Sequence, residues 1–356
     1  MKKHPESATV RLRRGLCYVL VTLLILALSG YAAGLILFRG PSKQLNTLVK
    51  YTLLETRRFG FIPYLFLSEE EVDSQGYSDR RNNGDGSYAR TDASLFDEPA
   101  APEATEAPAE ETGPKPDAYG LLDEDGDGIV AQKFTYKGST VYILVVYDPS
   151  RVFAGTAVQD PSQIYGVGVT LEDMIDTYDA LGGINAGGFI DNGGTGAGWP
   201  PYGITYSLGE CYSAEIGGPL GGFDADDIFR VGYFSYEDCE KAGIRDAVSF
   251  GPVLIMNGEK MGYDILESGI GPRTAIGQRQ DKAVVMLVVD GRQAYSIGLT
   301  YMDCADILFD KYGCVNAINM DGGNSTCMFF NGEMINNPSN VAGGTRNLPT
   351  TWLIRK

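Results

Sequence analysis

Cys314-Val-Asn-Ala-Ile-Asn-Met320, followed at once by Asp321-Gly-Gly-Asn-Ser-Thr326, is an apolar strand that ends in a carboxylate, two glycines and three small polar side chains. That chemistry suits a tight turn whose backbone N–H groups and hydroxyls face an anion, with one carboxylate held beside it. A plain strand exit needs a single glycine. The second glycine, flanked by an acid and hydrogen-bonding residues, marks Asp321 as a candidate reactive group. Gly322, Gly323, Ser325 and Thr326 become a candidate anion cradle.

Upstream of this turn, Thr300 with Asp303 forms a capping-box signature for a helix running to Tyr312 and capped by Gly313. The same signature at Thr170 and Asp173 predicts a helix through Leu181, stopped by Gly182-Gly183. Residues 141–147 are a continuous apolar run ended by Asp148-Pro149, with 152–158 as a neighbouring strand. Strands at 253–256, 283–289 and 328–330 are each closed by a hairpin dipeptide: Asn257-Gly258, Asp290-Gly291 and Asn331-Gly332. A last strand covers 350–354. Strands outnumber helices and most links are hairpins, which predicts a single α+β domain of mixed, largely antiparallel sheet over residues 129–356.

The remaining third of the chain is of another kind. Lys2, Lys3, Arg11, Arg13 and Arg14 precede an uncharged apolar run over residues 15–38, about the length that crosses a bilayer as a helix. The basic cluster places the N-terminus in the cytoplasm and everything after Arg39 outside the cell membrane. Ser29-Gly30 also fits the end of a cleaved signal peptide. Apolar residues resume at Leu35-Ile-Leu-Phe38, which favours an uncleaved anchor over residues 1–40. Residues 41–67 form a juxtamembrane segment. Residues 68–128 are acidic and rich in Pro and Ala, too poor in apolar side chains to offset ordering, and predict a disordered linker. Within them Asp123, Asp125 and Asp127 with Gly128 copy the start of a calcium loop. Phe134 stands where such a loop needs its bidentate Glu, so an acidic turn is the better reading.

The formal charge of −17 excludes a nucleic-acid binder, which needs a basic face. The one histidine, His4, precedes the apolar run. A Ser-His-Asp triad, a Cys-His pair or a histidine metal site is therefore unavailable to the exported part, and acid–base work falls to carboxylates. Five cysteines follow the anchor, none in a CxxC metal spacing, and their pairing is not deducible.

Four glycine-dense or charged segments punctuate the strands: Gly183-Ile-Asn185-Ala-Gly-Gly-Phe189, Pro272-Arg273-Thr-Ala-Ile-Gly277, the Asn319–Thr326 stretch, and Asn336-Asn-Pro-Ser339 with Arg346. Together they resemble the phosphodiester glycosidase family, whose domain carries IN-GGFF, PRTAIG, NLDGGGSST, NNPS and a following Arg in this order. The resemblance covers about residues 130–356. This chain departs from it with Met320 for Leu, Asn324 for Gly or Ser, and Thr345-Arg346 where the family often has Glu-Arg.

The resemblance implies cleavage of a sugar-1-phosphodiester at the anomeric carbon. A phosphate monoester is a far better leaving group than a sugar alkoxide, so a site without histidine is workable. On that reading Asp321 is the nucleophile or base, and Asn185 and Asn319 orient sugar hydroxyls or water. Arg273 is the leading phosphate ligand because its planar fork pairs two oxygens at once, and Arg346 is a second. Asp290 is a candidate catalytic acid and Glu215 a candidate second acid in the substrate site. Tyr202, Tyr206 and Tyr212 are candidate stacking platforms. The expected partner is a phosphate-linked envelope or exopolysaccharide glycan. Two other functions stay open: a non-catalytic glycan-binding module, and a phosphodiesterase that breaks the P–O bond with carboxylate-held Ca²⁺ or Mg²⁺ as cofactor.

Overall fold

The computed structural model describes residues 8–56, 59–73, 90–96, 115–163, 165–189, 197–215, 217–262, 269–339 and 345–356. The chain forms two compact units, 1–76 and 77–356.

The first unit holds α1 (Ala8–Arg39), α2 (Lys43–Leu54) and the short α3 (Glu69–Asp73). Within α1, residues Leu12–Arg39 are apolar and long enough to cross a membrane, with mean hydropathy 2.3. Ser42 caps α2 by accepting the N–H of Leu45.

In chain order the second unit begins with β1 (Ile129–Tyr136), β2 (Ser139–Val146), β3 (Val152–Thr156), α4 (Leu171–Tyr178) and β4 (Ala180–Asn185). Next come β5 (Thr205–Ser207), β6 (Glu210–Ser213), β7 (Leu220–Asp224), β8 (Phe229–Gly232), α5 (Tyr236–Ala242) and β9 (Ile244–Ser249). Then follow β10 (Val253–Met256), β11 (Glu259–Lys260), β12 (Arg273–Arg279), β13 (Val284–Val289) and α6 (Tyr301–Asp306). The unit ends with β14 (Cys314–Met320), β15 (Met328–Phe330), β16 (Glu333–Met334) and β17 (Thr350–Arg355).

These strands make three antiparallel sheets, ordered β1-β2-β13-β12-β14-β10-β11, β16-β15-β4-β17-β3 and β6-β5-β9-β7-β8. The α+β expectation with largely antiparallel pairing holds. The central strands read as unbroken apolar runs because the seven-stranded sheet is covered on both faces. Tyr142, Leu144 and Val146 of β2 and Val284, Met286 and Val288 of β13 enter the core shared with the other sheets. Val141, Ile143, Val145, Val285, Leu287 and Val289 face the opposite way and pack under α6. Trp352 of β17 fills the shared core, meeting Phe223 and Phe229 edge-on at 5.7 and 6.0 Å.

The capping boxes at Thr170/Asp173 and Thr300/Asp303 both form, and Ser235/Asp238 forms a third on α5. Three expectations are corrected. The helix after Thr170 stops at Tyr178 on a left-handed Asp179, and Gly182-Gly183 lie inside β4 instead of ending the helix. Asp290-Gly291 is not a hairpin turn: β13 leads through a loop into α6. Parts of the predicted linker pack on the domain. Arg90 pairs with Asp238 at 2.7 Å, and Asp117 holds the buried Arg279 at 2.7 Å. Residues 74–89 and 97–114, the bulk of that linker, lie outside the described residues.

Candidate active site

The strand order brings two of the four sequence motifs to one end of the seven-stranded sheet. β12 and β14 pair antiparallel with Thr274 opposite Met320, so Arg273 at the start of β12 sits across from Asp321 at the end of β14. β13 pairs with β12 with Val289 opposite Arg273, which brings Asp290 to the same edge.

The Asn185 segment joins from the second sheet. Asn185 is fully buried. Its Nδ2 donates to the main-chain oxygen of Asp321 at 2.6 Å. Its Oδ1 accepts from Thr274 Oγ1 at 2.7 Å and from the N–H of Cys327 at 3.1 Å. In return the N–H of Asp321 donates to Ala186 O at 2.9 Å. Asn185 therefore fixes the Asp321 turn instead of facing a ligand.

The turn itself is a single 3₁₀ turn, Gly323–Ser325. The N–H groups of Gly323, Ser325 and Thr326 donate to Pro272, Gly322 and Gly323 carbonyls at 3.1, 3.2 and 3.3 Å. The expected backbone cradle is thus largely closed on itself. The glycines are required by their neighbours. A Cβ on Gly322 would lie 2.9 Å from Pro272 O and 3.9 Å from Arg273 Nη1. On Gly323, whose φ is +64°, it would lie 3.0 Å from Arg292 Nη1. Two guanidinium groups thus flank successive glycines, one buried and one exposed.

A third arginine lies within electrostatic reach of the Asp321 carboxylate. Burial lowers the Arg346 guanidinium from its ordinary value, and the attraction of Asp321 pulls it back up. Arg346 also lies over the Phe189 ring at 4.4 Å. Beside it, Thr345 Oγ1 donates to Glu172 Oε2 at 2.8 Å. A carboxylate thus reaches the position before the arginine from α4, where the family pattern often has a Glu in the chain. Burial pushes up the Cys327 thiol, with smaller contributions from the charges of Glu172 and Asp321.

Several predicted roles change. Arg273 is 4 % exposed; its Nε donates to Leu299 O at 3.0 Å, a second nitrogen donates to Gly269 O, and it stacks on Tyr301 at 4.3 Å. Those contacts make it a brace beneath the turn more than an open phosphate ligand. Asn319 Nδ2 holds Gly251 O and Met320 O at 2.9 and 2.8 Å. Asp290 is buried, accepting from Tyr142 Oη at 3.0 Å, Asn336 Nδ2 at 3.1 Å and the Asn337 N–H at 2.9 Å. Its carboxylate anchors the Asn336–Ser339 segment, whose Ser339 Oγ reaches Gly323 O at 3.2 Å. Glu215 is exposed, and among the described residues no contact ties its side chain to the turn. Tyr206 is a buried packing residue, with its hydroxyl on Glu240.

Asn319 Oδ1, Ser325 Oγ and Thr326 Oγ1 are buried without a hydrogen-bond partner. An unsatisfied buried polar atom costs roughly 1–3 kcal/mol. Three in eight consecutive residues single out this turn. Arg292 and Glu172 were missed from the sequence, since neither lies in a motif. The one signal for Arg292 was a charge two residues beyond a strand-end aspartate.

A domain of antiparallel sheets with an Asp-Gly-Gly turn ringed by arginines defines a class. The profile of the phosphodiester glycosidase family matches residues 178–355, half of the chain, and the chain belongs to that family of hydrolases. The bovine N-acetylglucosamine-1-phosphodiester alpha-N-acetylglucosaminidase is 40% identical over 70 residues, which is 20% of this chain and 13% of that protein. The SPbeta prophage-derived uncharacterized protein YomE of Bacillus subtilis (strain 168) is 47% identical over 68 residues, 19% of this chain and 10% of that protein. The matched part spans about a tenth of the length of these curated relatives. The fold is similar to the zebrafish N-acetylglucosamine-1-phosphodiester alpha-N-acetylglucosaminidase catalytic domain auto-inhibited by its pro-peptide. The TM-score is 0.54 at 22% identity, covering 64% of this chain and 82% of that one.

Proposed function

We propose that this protein is a membrane-anchored hydrolase whose exported domain releases a sugar from a sugar-1-phosphodiester in an envelope or exopolysaccharide glycan. The observation that carries this reading is the gathering of Arg273, Arg292 and Arg346 about the Asp321 turn, in a chain of net charge −17. Such a collar suits a doubly substituted phosphate whose charge grows as the sugar–oxygen bond breaks.

Arg292 and Arg346 bind the phosphate, and Arg273 braces the turn from below. Asp321 stands on the sugar side as nucleophile or base. Glu172 is the second carboxylate such chemistry uses. The helix α1 anchors the domain, with the basic N-terminal cluster on the cytoplasmic side. A divalent cation remains a candidate cofactor. The cluster Asp123, Asp125 and Asp127 is the group of carboxylates close enough together to hold one among the described residues. It adjoins Ile129, whose row pairs with Val146 and Val284, whereas the Asp321 edge lies by Val141 and Val289, roughly 17 Å along the strands.

The test is release of free sugar from a sugar-1-phosphate diester by the full-length protein in detergent, with and without a chelator. Asp321→Asn should abolish release while leaving the fold intact. Equal activity in that variant, or saturable binding with no turnover in the parent, rejects the reading. In ¹⁸O water the label should enter the sugar; label in the phosphate means P–O cleavage and a different enzyme.

A further inference from the structure

The first unit carries a feature that a bare anchor helix would not need. Phe66 lies along the last turns of α1, its ring 5.5 Å from Tyr31 and stacked on Phe38 at 5.1 Å and 13°. A Cβ on Gly34 would fall 2.1 Å from Phe66 Cζ, so only glycine admits that ring. Gly34 and Phe38, one helical turn apart, are the buried positions of α1 among its described residues. Arg39 closes the packing by donating through Nε to Phe66 O at 2.8 Å and pairing with Glu71 at 2.9 Å.

The chain just before Phe66 turns its apolar side chains outward. Phe59, Phe61, Tyr64 and Leu65 are 47%, 60%, 47% and 61% exposed. Pro63 is buried, and the segment is folded on itself through Ile62 N to Phe59 O at 2.9 Å and Leu65 N to Ile62 O at 3.0 Å. The next residue, Phe66, touches α1 between Tyr31 and Phe38 and so ties the segment to that level of the helix. At 1.5 Å rise per residue these positions reach roughly 10 Å below the Arg39 level. The charged groups Arg39 and Glu71 sit at the other end of the same contact.

We propose that residues 59–65 form a second membrane-contacting element, immersed beside α1 in the leaflet at its Arg39 end, with lipid acyl chains covering Phe59, Phe61, Tyr64 and Leu65. The occupant is lipid because these exposed apolar side chains directly precede Phe66, which is docked on the exposed apolar helix α1, next to an Arg39–Glu71 ion pair suited to the headgroup level. Aromatic rings with a polar tip, as at Tyr64, suit that boundary. The packing also makes the end of α1 part of a folded unit, in which Phe66 would lose its partner if the helix were removed. The proposal rests on α1 spanning the membrane, and the experiment separates the two.

Full-length protein carrying Phe61→Trp, Tyr64→Trp or Leu23→Trp is reconstituted in phosphatidylcholine nanodiscs. Emission from Trp199 and Trp352 is subtracted with the parent protein. All three positions are exposed, so the swaps leave the packing intact. Leu23→Trp, within the span, should be quenched by lipids brominated deep in the acyl chain. Tryptophan at 61 and 64 should lose emission to lipids brominated in the upper chain and resist iodide. If Leu23→Trp is not quenched, the spanning helix fails. If Leu23→Trp is quenched while positions 61 and 64 are quenched by iodide, the second element alone is overturned. Resistance to both quenchers means a protein covers the face and overturns the proposal as well.

Discussion

Asn185 and Asp321 hold each other through the main chain: the amide of Asn185 donates to Asp321 O at 2.6 Å while Asp321 N–H bonds the carbonyl of the residue after Asn185 at 2.9 Å. The asparagine's role is thus positional. Asn185→Ala would strip an acceptor from Thr274 and Cys327 and a donor from Asp321, all at a buried site. The expected loss of stability is at least about 1–3 kcal/mol, read from urea unfolding. Sugar release should fall further than stability accounts for, as a drop in kcat. An unchanged kcat in a folded variant would mean that the turn keeps its geometry without Asn185.

Arg346 and Arg292 should fail in different ways. Arg346 stacks on Phe189 within electrostatic reach of Asp321, so a lysine restores the charge but neither the plane nor the fork. Arg346→Lys should lower kcat/KM by about tenfold to a hundredfold, the scale of one or two charge-assisted bonds. Arg292 is exposed above Gly323, so Arg292→Ala should act mainly on KM, and its effect should shrink as salt is raised. Identical salt dependence in the parent and in Arg292→Ala would remove Arg292 from the phosphate site.

Asp290 gives a pH signature. Burial raises its carboxyl above the ordinary value, against the opposing bonds from Asn337, Asn336 and Tyr142. The folded chain therefore keeps that proton to higher pH than the unfolded chain does. Across the interval between the two values the native state binds the extra proton, so stability declines as pH rises. Asp290→Asn has no proton to lose and keeps an acceptor oxygen for the Asn336 segment. Its urea midpoint should fall less than the parent's as pH is raised above the ordinary carboxylate range. An equal slope in both proteins would assign the titration to another group.

The sequence made β14, β10 and β15 legible to the residue, because a buried strand bounded by a glycine-containing turn has few other readings. It made the Asp321 turn legible as special for the same reason. It did not reveal that Arg273 and Asp290 are braces, since an arginine beside a glycine turn looks alike whether its nitrogens meet carbonyls or a ligand. Only the register that sets Arg273 between Leu299 and Gly269 decides that. Arg292 and Glu172 escaped because their nearness to the turn comes from a loop and a helix meeting across sheets. The sheet built from β5 to β9 escaped too. Its strands are only three to six residues long, and the pairings that join its two hairpins run through β9, which is remote in sequence from β5 and β7.

Gly183 shows how one residue type carries two opposite readings. After a capped helix, Gly182-Gly183 looks like a stop, yet both lie in β4 with β15 on one side and β17 on the other. A Cβ on Gly183 would fall 2.3 Å from Trp352 O and 2.9 Å from Leu353 Cδ2; on Gly182 it would fall 2.5 Å from Phe329 O. The glycines are there because strand backbones crowd them, and a main-chain oxygen in a ladder cannot step aside as a flexible side chain does. Gly183→Ala should therefore cost about 1–3 kcal/mol or more, although alanine normally suits a strand no worse than glycine. Because β4 delivers Asn185 two residues later, activity should fall with it. A variant with parental urea midpoint and parental turnover would show that β17 can shift without moving the Asp321 turn.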